Sequence, residues 1–233
     1  MTDDPDNPQQ PANPKHRAVR SFVLRGGRLT SGQKRALKEL WPQHGINLPP
    51  GLINLPLEFK NTAPVTLEIG FGNGENIISM AKNDRQGNYL GIEVHEPGVG
   101  HCLLGIEEHD LSNVRVMRDD AVAVLRQHIE DAALSRINLF FPDPWHKKRH
   151  HKRRIVQPDF IRLLARKLRP GGTFHVATDW PNYAEHIELI MNDIDLFESA
   201  HNVPGDRIET RFDLRGQRIG HDNWEHAWCT RSI

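Results

Sequence analysis

The spacing of apolar and polar positions changes character at Val65. Downstream, short β-branched or aliphatic runs alternate with stretches of helical period, separated by turn-forming residues. Val65–Ile69, Tyr89–Val94, Val114–Met117, Ile137–Phe141 and Thr173–Ala177 read as strands. Helices are expected over Glu75–Lys82, after the second and third strands, and over Phe160–Leu168 and Tyr183–Ile194. Pro142 stops the fourth strand, and Pro170-Gly171-Gly172 is expected to end the helix before the fifth. Strands alternating with helices imply right-handed crossovers and a mostly parallel α/β sheet with helices on both faces. A last strand candidate, Ala227–Arg231, is placed to insert antiparallel.

Upstream of Val65 the pattern is different. Met1–Pro14 holds four Pro and three Asp, and this acidic tail is expected to be disordered. Lys15–Leu29 reads as a basic arm, and Thr30 or Ser31 is placed to cap a helix from Gly32 to Trp41, closed by Pro42. Leu48–Lys60 is loop-like, with Pro49, Pro50 and Pro56. The expected division is therefore a tail (1–14), a basic arm and helix (15–60) and a main domain (61–233). Of the 233 residues, 37% are hydrophobic, enough for a sizeable core. Unbroken apolar runs such as Ala121–Leu125 fall far short of the ~18 residues that cross a bilayer. The N-terminus has neither the basic nor the apolar region of a secretory signal, so a cytoplasmic protein is expected. Cys102 and Cys229 form no Cys-x-x-Cys pair, which argues against a disulfide framework or a cysteine zinc site. With no obvious apolar surface stripe left over, the expected state is a monomer.

The charges are balanced in number, 30 basic against 30 acidic, but not in position. Lys15–Lys38 contains eight Lys/Arg and no acid, and His146–Arg154 contains six Lys/Arg, three His and no acid. The rest of the chain carries 16 basic residues against 30 acidic ones. Two acid-free runs on an otherwise acidic chain point to a polyanionic partner such as a nucleic acid.

Two strand ends carry candidate chemistry. In Glu68-Ile69-Gly70-Phe71-Gly72-Asn73-Gly74, alternate glycines let the main chain turn sharply and approach a ligand, and the following helix offers free N–H donors. Glu93 ends the second strand, where an acid can hold ribose hydroxyls, and Asp119-Asp120 ends the third, within reach of an adenine amino group. Gly70, Gly72 and Gly74 with Glu93 and Asp120 indicate an adenosine-bearing cofactor. The dinucleotide fingerprint spaces its third glycine three after the second, whereas Gly72 and Gly74 are two apart. S-adenosylmethionine fits better, its ammonium suited to Glu68. At the end of the fourth strand, Phe140-Phe141-Pro142-Asp143-Pro144-Trp145 holds a carboxylate between two prolines beside an aromatic. His146 and His150 have the spacing of a metal pair, but six neighbouring cations oppose a dication, so no metal is expected and phosphate binding is the simpler account.

Taken together, Val65–Gly74, Glu93-Val94-His95, Asp120-Ala121, Phe141–His150 and Ala177-Thr178-Asp179-Trp180 resemble the bacterial tRNA (guanine-N7-)-methyltransferase family. Ser21-Phe22-Val23-Leu24-Arg25 is similar too, so the resemblance runs from about Arg20 to the C-terminus. The glycine turn is shared by many methyltransferases; Pro-Asp-Pro-Trp followed by His-Lys-Lys-Arg-His is far more specific. The resemblance implies a Rossmann-like class I fold, a tRNA partner, and guanosine 46 of the variable loop as target. It implies that Glu68, Glu93, Asp120 and Asp143 line the S-adenosylmethionine site. It also implies that Lys147, Asp179 and Thr210, Arg211, Phe212 and Asp213 meet the RNA, while Arg149, His150, His151, Lys152, Arg153 and Arg154 contact its backbone. Asp213 stands where the family is expected to carry Glu.

Guanine N7 has an in-plane lone pair and no proton, so methyl transfer to it needs no general base. Alignment and water exclusion are then the main tasks, and a fixed carboxylate near the purine favours the positive charge arriving there. Asp143 is the candidate for that catalytic role. Asp179 reads either as an acceptor for the guanine edge or as a helix cap before Pro181. Rival classes are an amino-methyltransferase, a nicotinamide dehydrogenase and a non-catalytic RNA-binding protein. The first usually has two prolines after its polar residue, glycine spacing disfavours the second, and the third leaves the strand-end acids without a purpose.

Overall fold

The computed structural model describes residues 21–22, 26–210, 213 and 223–231. The expected disordered tail (1–14), most of the basic arm, and Arg211 and Phe212 lie outside them. Three helices precede the first strand: α1 (Ser31–Glu39), α2 (Trp41–His44) and α3 (Leu55–Phe59). Thr30 caps α1 in a reciprocal box, its hydroxyl accepting from the Gln33 N–H while the Gln33 side chain accepts from the Thr30 N–H. Pro42, expected to close α1, instead sits in the first turn of α2, where its missing N–H costs nothing. The prolines of Leu48–Lys60 hide α3 in the same way, with Pro56 in its first turn and Asn54 as its cap.

Strands and helices then alternate: β1 (Val65–Ile69), α4 (Glu75–Asn83), β2 (Asn88–Ile92), α5 (Glu96–Glu108), β3 (Val114–Met117), α6 (Ala121–Gln127) and β4 (Leu134–Phe140). After a 3-10 turn over Lys148–Arg153 come α7 (Pro158–Lys167), β5 (Leu168–Thr178), α8 (Pro181–Asp193), β6 (Phe197–Ser199) and β7 (Trp224–Thr230). The sheet order is β3-β2-β1-β4-β5-β7-β6; the first five strands run parallel, and β7 pairs antiparallel with both β5 and β6. The C-terminal strand therefore inserts antiparallel as anticipated, though it begins three residues earlier. Pro170-Gly171-Gly172 does not separate α7 from β5. It lies within β5, opposite a register shift in β4, with Gly171 at φ +70°.

Apolar side chains cover both faces of the sheet. One cluster joins Leu67, Ile137, Leu164 and Phe174; the other joins Ala36, Ile77, Val99 and Leu103. Ala36 is fully buried, and the Ile46 N–H donates to the Val116 carbonyl, so the helices before β1 share the core of the main sheet. Among the described residues, no helix is long and apolar enough to cross a membrane. Chain order reverses between β1 and β4, which opens a crevice at the carboxyl ends of these strands.

Candidate active site

The glycine turn sits at this crevice. Gly70, Gly72 and Gly74 have φ of +71°, +58° and +86°, conformations that side-chain-bearing residues rarely adopt. A Cβ on Gly74 would lie 2.6 Å from Cys102 Sγ, so this glycine lets α4 pack on α5. A Cβ on Gly70 or Gly72 would meet nothing within 4 Å; the space over the turn is open, as a cradle for a ligand requires. Glu93 shapes the turn: its carboxylate accepts from the N–H groups of Gly72 (2.9 Å), Val94 (2.7 Å) and His95 (2.9 Å). Asp120 caps α6, accepting from the Val122 N–H at 2.9 Å. Beside Asp119, a cleft of about 400 Å³ is walled by Trp41, Ile46, Met117 and the Arg118–Glu96 ion pair. A larger cavity of about 580 Å³ opens by Val65, Asn88 and Ser135, at the amino-terminal side of the sheet, away from these groups.

Glu68 is 4% exposed and accepts one hydrogen bond, from Asn76 Nδ2 at 2.9 Å. Burial pushes its carboxyl up to about 7, against the lowering effects of Asn76 and Arg136. Asp206 adds to the rise, and its own Oδ1 is buried with no partner among the described residues. A raised carboxyl and an orphaned carboxylate oxygen, two excess acceptors beside an open cradle, fit the ammonium of S-adenosylmethionine.

The Pro-Asp-Pro-Trp turn follows β4. Phe141 just before it and Trp145 at its end take φ of +49° and +47°, so the turn is held in an uncommon backbone shape. The Phe141 N–H donates to the Ala177 carbonyl at 2.8 Å, and Arg154 Nε donates to the Pro144 carbonyl at 2.9 Å. Asp143 itself is exposed at the tip. Trp145 is not a bare platform: the Arg153 guanidinium lies 3.7 Å from its ring centroid, and its Nε1–H donates to the Ser21 carbonyl at 3.1 Å.

Lys147, Lys148, Arg149 and Lys152 are exposed, while His150, His151 and Arg153 are partly covered. His146 packs edge-on against Trp180 and His150 against Trp145, so the two rings serve different aromatics. Two of the residues expected to meet RNA are buried among protein partners. Arg154 is 2% exposed; its donors go to Pro144, His151 and Asn182, and it stacks 4.7 Å over Tyr183. It braces the turn from below. Asp213 is 1% exposed and accepts from Arg207, Thr210 and Asn223. Asp179 is partly exposed at the end of β5 and is not the cap of α8, which begins after Trp180 with no side-chain cap.

The sequence reading missed the buried polar face beneath this site. Glu68, Asn138 and His175 sit in register across β1, β4 and β5, each at most 4% exposed. Polar residues at 136 and 138, on either side of Ile137 in the strand, were the available signal; their partners Asp206, Arg207 and Glu225 are distant in sequence and invisible to any local pattern.

The putative-methyltransferase family model matches residues 62–226. A tRNA (guanine-N7-)-methyltransferase of Idiomarina loihiensis is 52% identical over 220 residues, covering 92% of this chain and 90% of that protein. One of Shewanella amazonensis is 51% identical, covering 90% of each. Among solved structures, the aminoglycoside-resistance methyltransferase NpmB1 superposes with a TM-score of 0.55 at 16% identity, over 77% of this chain and 94% of that one. The 16S rRNA methyltransferase KamB gives 0.55 at 13% identity, over 78% and 95%. These two share the fold: a Rossmann-like class I methyltransferase, as the strand order indicates. The near relatives, matched along nine-tenths of their length, carry the further conclusion that this chain belongs to the bacterial tRNA (guanine-N7-)-methyltransferase family.

Proposed function

We propose that this chain transfers a methyl group from S-adenosylmethionine to N7 of a guanosine in tRNA, guanosine 46 of the variable loop. The observation that carries the reading is the meeting, at one end of the sheet, of an open glycine cradle with the buried Glu68, the part-buried Glu93 and Asp120, and a braced, exposed carboxylate flanked by lysines and arginines.

The cofactor would lie over Gly70 and Gly72, with Glu68 toward its ammonium, Glu93 toward its ribose and Asp120 toward its adenine. Bound there, it supplies an electrophilic methyl group on a sulfonium. The protein's share is placement and electrostatics. The Asp143 turn is pinned from Arg154 below and from Ala177 beside it, so the carboxylate keeps its position without reorganising as charge moves. Its negative charge favours the purine that becomes cationic on methylation. No side chain has to remove a proton, because N7 has none. Asp179, free of a capping role, is placed at a neighbouring strand end to accept from the guanine edge. Lys147, Lys148, Arg149 and Lys152 offer phosphate contacts that fix the RNA without reading its sequence.

The test is incubation with labelled methyl donor and unmodified tRNA, followed by mapping of the modified base. One labelled N7-methylguanosine in the variable loop is expected. Label on an exocyclic amine, or on no RNA, would overturn the reading.

A further inference from the structure

Beneath the Asp143 turn runs an unbroken chain of polar contacts, buried at His175 and Asp213 and part-buried at its other members. Asp206 accepts from Arg136 Nη1 at 2.7 Å, and Arg136 Nη2 donates to His175 Nδ1 at 2.8 Å. His175 Nε2 meets Glu225 Oε1 at 2.7 Å, and Glu225 Oε2 accepts from Arg207 at 2.8 and 3.0 Å. Arg207 Nη1 goes on to Asp213 at 2.8 and 3.0 Å. The same guanidinium lies 5.7 and 5.5 Å from the ring centroids of Phe140 and Phe141, the two residues that lead into Pro142-Asp143. One residue on, the Ile208 N–H donates to Asn76 Oδ1, the side chain whose amide donates to Glu68. Residues 206–210 are thus a strap tied to the cofactor end through Asn76, to the sheet through His175, and to the Asp143 turn through Arg207.

A guanidinium has donors only, so His175 Nδ1 must accept and the ring proton must sit on Nε2, facing Glu225. A proton on Nδ1 would set two donors against each other. We propose that His175, fixed as the neutral Nε2–H tautomer between Arg136 and Glu225, is a positioning residue that keeps this strap, and with it the Asp143 turn, in the geometry needed for methyl transfer. His175 is fully buried and touches no reacting atom; it acts through Glu225 and Arg207. The electrostatics agree. Burial lowers the imidazole's proton affinity despite Glu225. Burial alone would raise Glu225, yet His175 and Arg207 hold it at about 2. The segment that carries Asp206, Arg207 and Asp213 has no regular strand or helix of its own between 200 and 210, so these ties set its path.

The inference rests on the proposed activity, and the experiment separates the two. In the full-length protein, nitrogen-15 spectra of the imidazoles should show one ring with a protonated Nε2 and a bare Nδ1 that disappears in His175→Phe. Amide exchange at Ile208 should quicken in that variant. Single-turnover methylation should fall by about 10- to 10²-fold, the scale of a misplaced reacting group, while affinity for S-adenosylhomocysteine changes less than about twofold, because Asn76 keeps its own bond to Glu68 when the Ile208 N–H loosens from its oxygen. His175→Gln, whose amide offers both an acceptor and a donor, should recover most of the rate and slow the Ile208 exchange again. A doubly protonated or Nδ1–H ring, or a wild-type rate and exchange in His175→Phe, would overturn the proposal. So would loss of cofactor affinity in parallel with rate, the mark of a merely structural core residue. If the wild-type protein methylated no tRNA, the proposed function would fall while the imidazole and exchange signatures still stood or failed on their own.

Discussion

Asp143 is exposed at the tip of a turn whose backbone is fixed from both sides, so its charge can be tested apart from its position. Asp143→Asn keeps size and most hydrogen-bond geometry and removes the charge. Single-turnover methylation at saturating cofactor and tRNA should fall by roughly 10²-fold, the scale of losing one preorganised electrostatic group. Dissociation constants measured alongside should move far less. Glu93 is a different case: with three backbone N–H groups on its carboxylate, it shapes the turn as well as facing the ribose in the proposed binding pose. A strand-end acid in a cleft looks dispensable for folding when read from sequence. The structure predicts that Glu93→Ala lowers both cofactor affinity and stability, the latter by about 1–3 kcal/mol for donors left without an acceptor. Calorimetry and thermal melting report the two separately. Glu68 adds a proton linkage. Its carboxyl titrates near 7 in the folded protein against an ordinary 4.5, so between those values the folded state holds the extra proton. Its contribution to stability is therefore greatest below about 4.5 and declines as pH rises through about 7. An ammonium arriving beside it should expel that proton, so cofactor binding near pH 6 should release protons, seen as a dependence of binding enthalpy on buffer. Glu68→Gln should abolish the dependence.

Among the elements, the glycine turn and the strands before and after it were legible because their signals are local. β1 and β3 fall where periodicity places them, and Thr30 caps α1 as its spacing indicates. Prolines misled the reading in both directions. At positions 42 and 56 they start short helices, and at 170 one lies inside a long strand beside a bulge. The basic run shows a deeper limit. Nine consecutive cationic or imidazole residues look equivalent in sequence, but the 3-10 turn over Lys148–Arg153 sorts them, sending Lys148, Arg149 and Lys152 outward and leaving Arg154 buried on Tyr183. Replacing Lys148, Arg149 and Lys152 together by Ala should leave the melting temperature nearly unchanged. It should make the plot of log tRNA affinity against log salt shallower by about 2, for three lost phosphate contacts. Arg154→Ala should do the reverse, lowering stability by about 3 kcal/mol or more as its bonds to Pro144 and Asn182 are lost.

For the molecule as a whole, alternation of strands and helices made the parallel sheet legible, and with it the crevice between β1 and β4. What was not legible is what crosses the sheet. The row Glu68, Asn138, His175 exists only once three strands are in register, and its outer partners come from β7 and from the segment before it. Local pattern carries the scaffold and the cofactor turn; long-range pairing carries the placement of the acceptor side. The central claim joining both is that a methyl group passes to a nitrogen with no proton, so that placement and a fixed negative charge suffice. Single-turnover methylation of a tRNA bearing 7-deazaguanosine at the target position, beside the unmodified tRNA, tests that claim most directly. Removing the N7 lone pair should abolish transfer while the analogue still competes for binding with nearly unchanged affinity. Transfer continuing at a comparable rate, with label on an exocyclic nitrogen of the purine, would contradict the account.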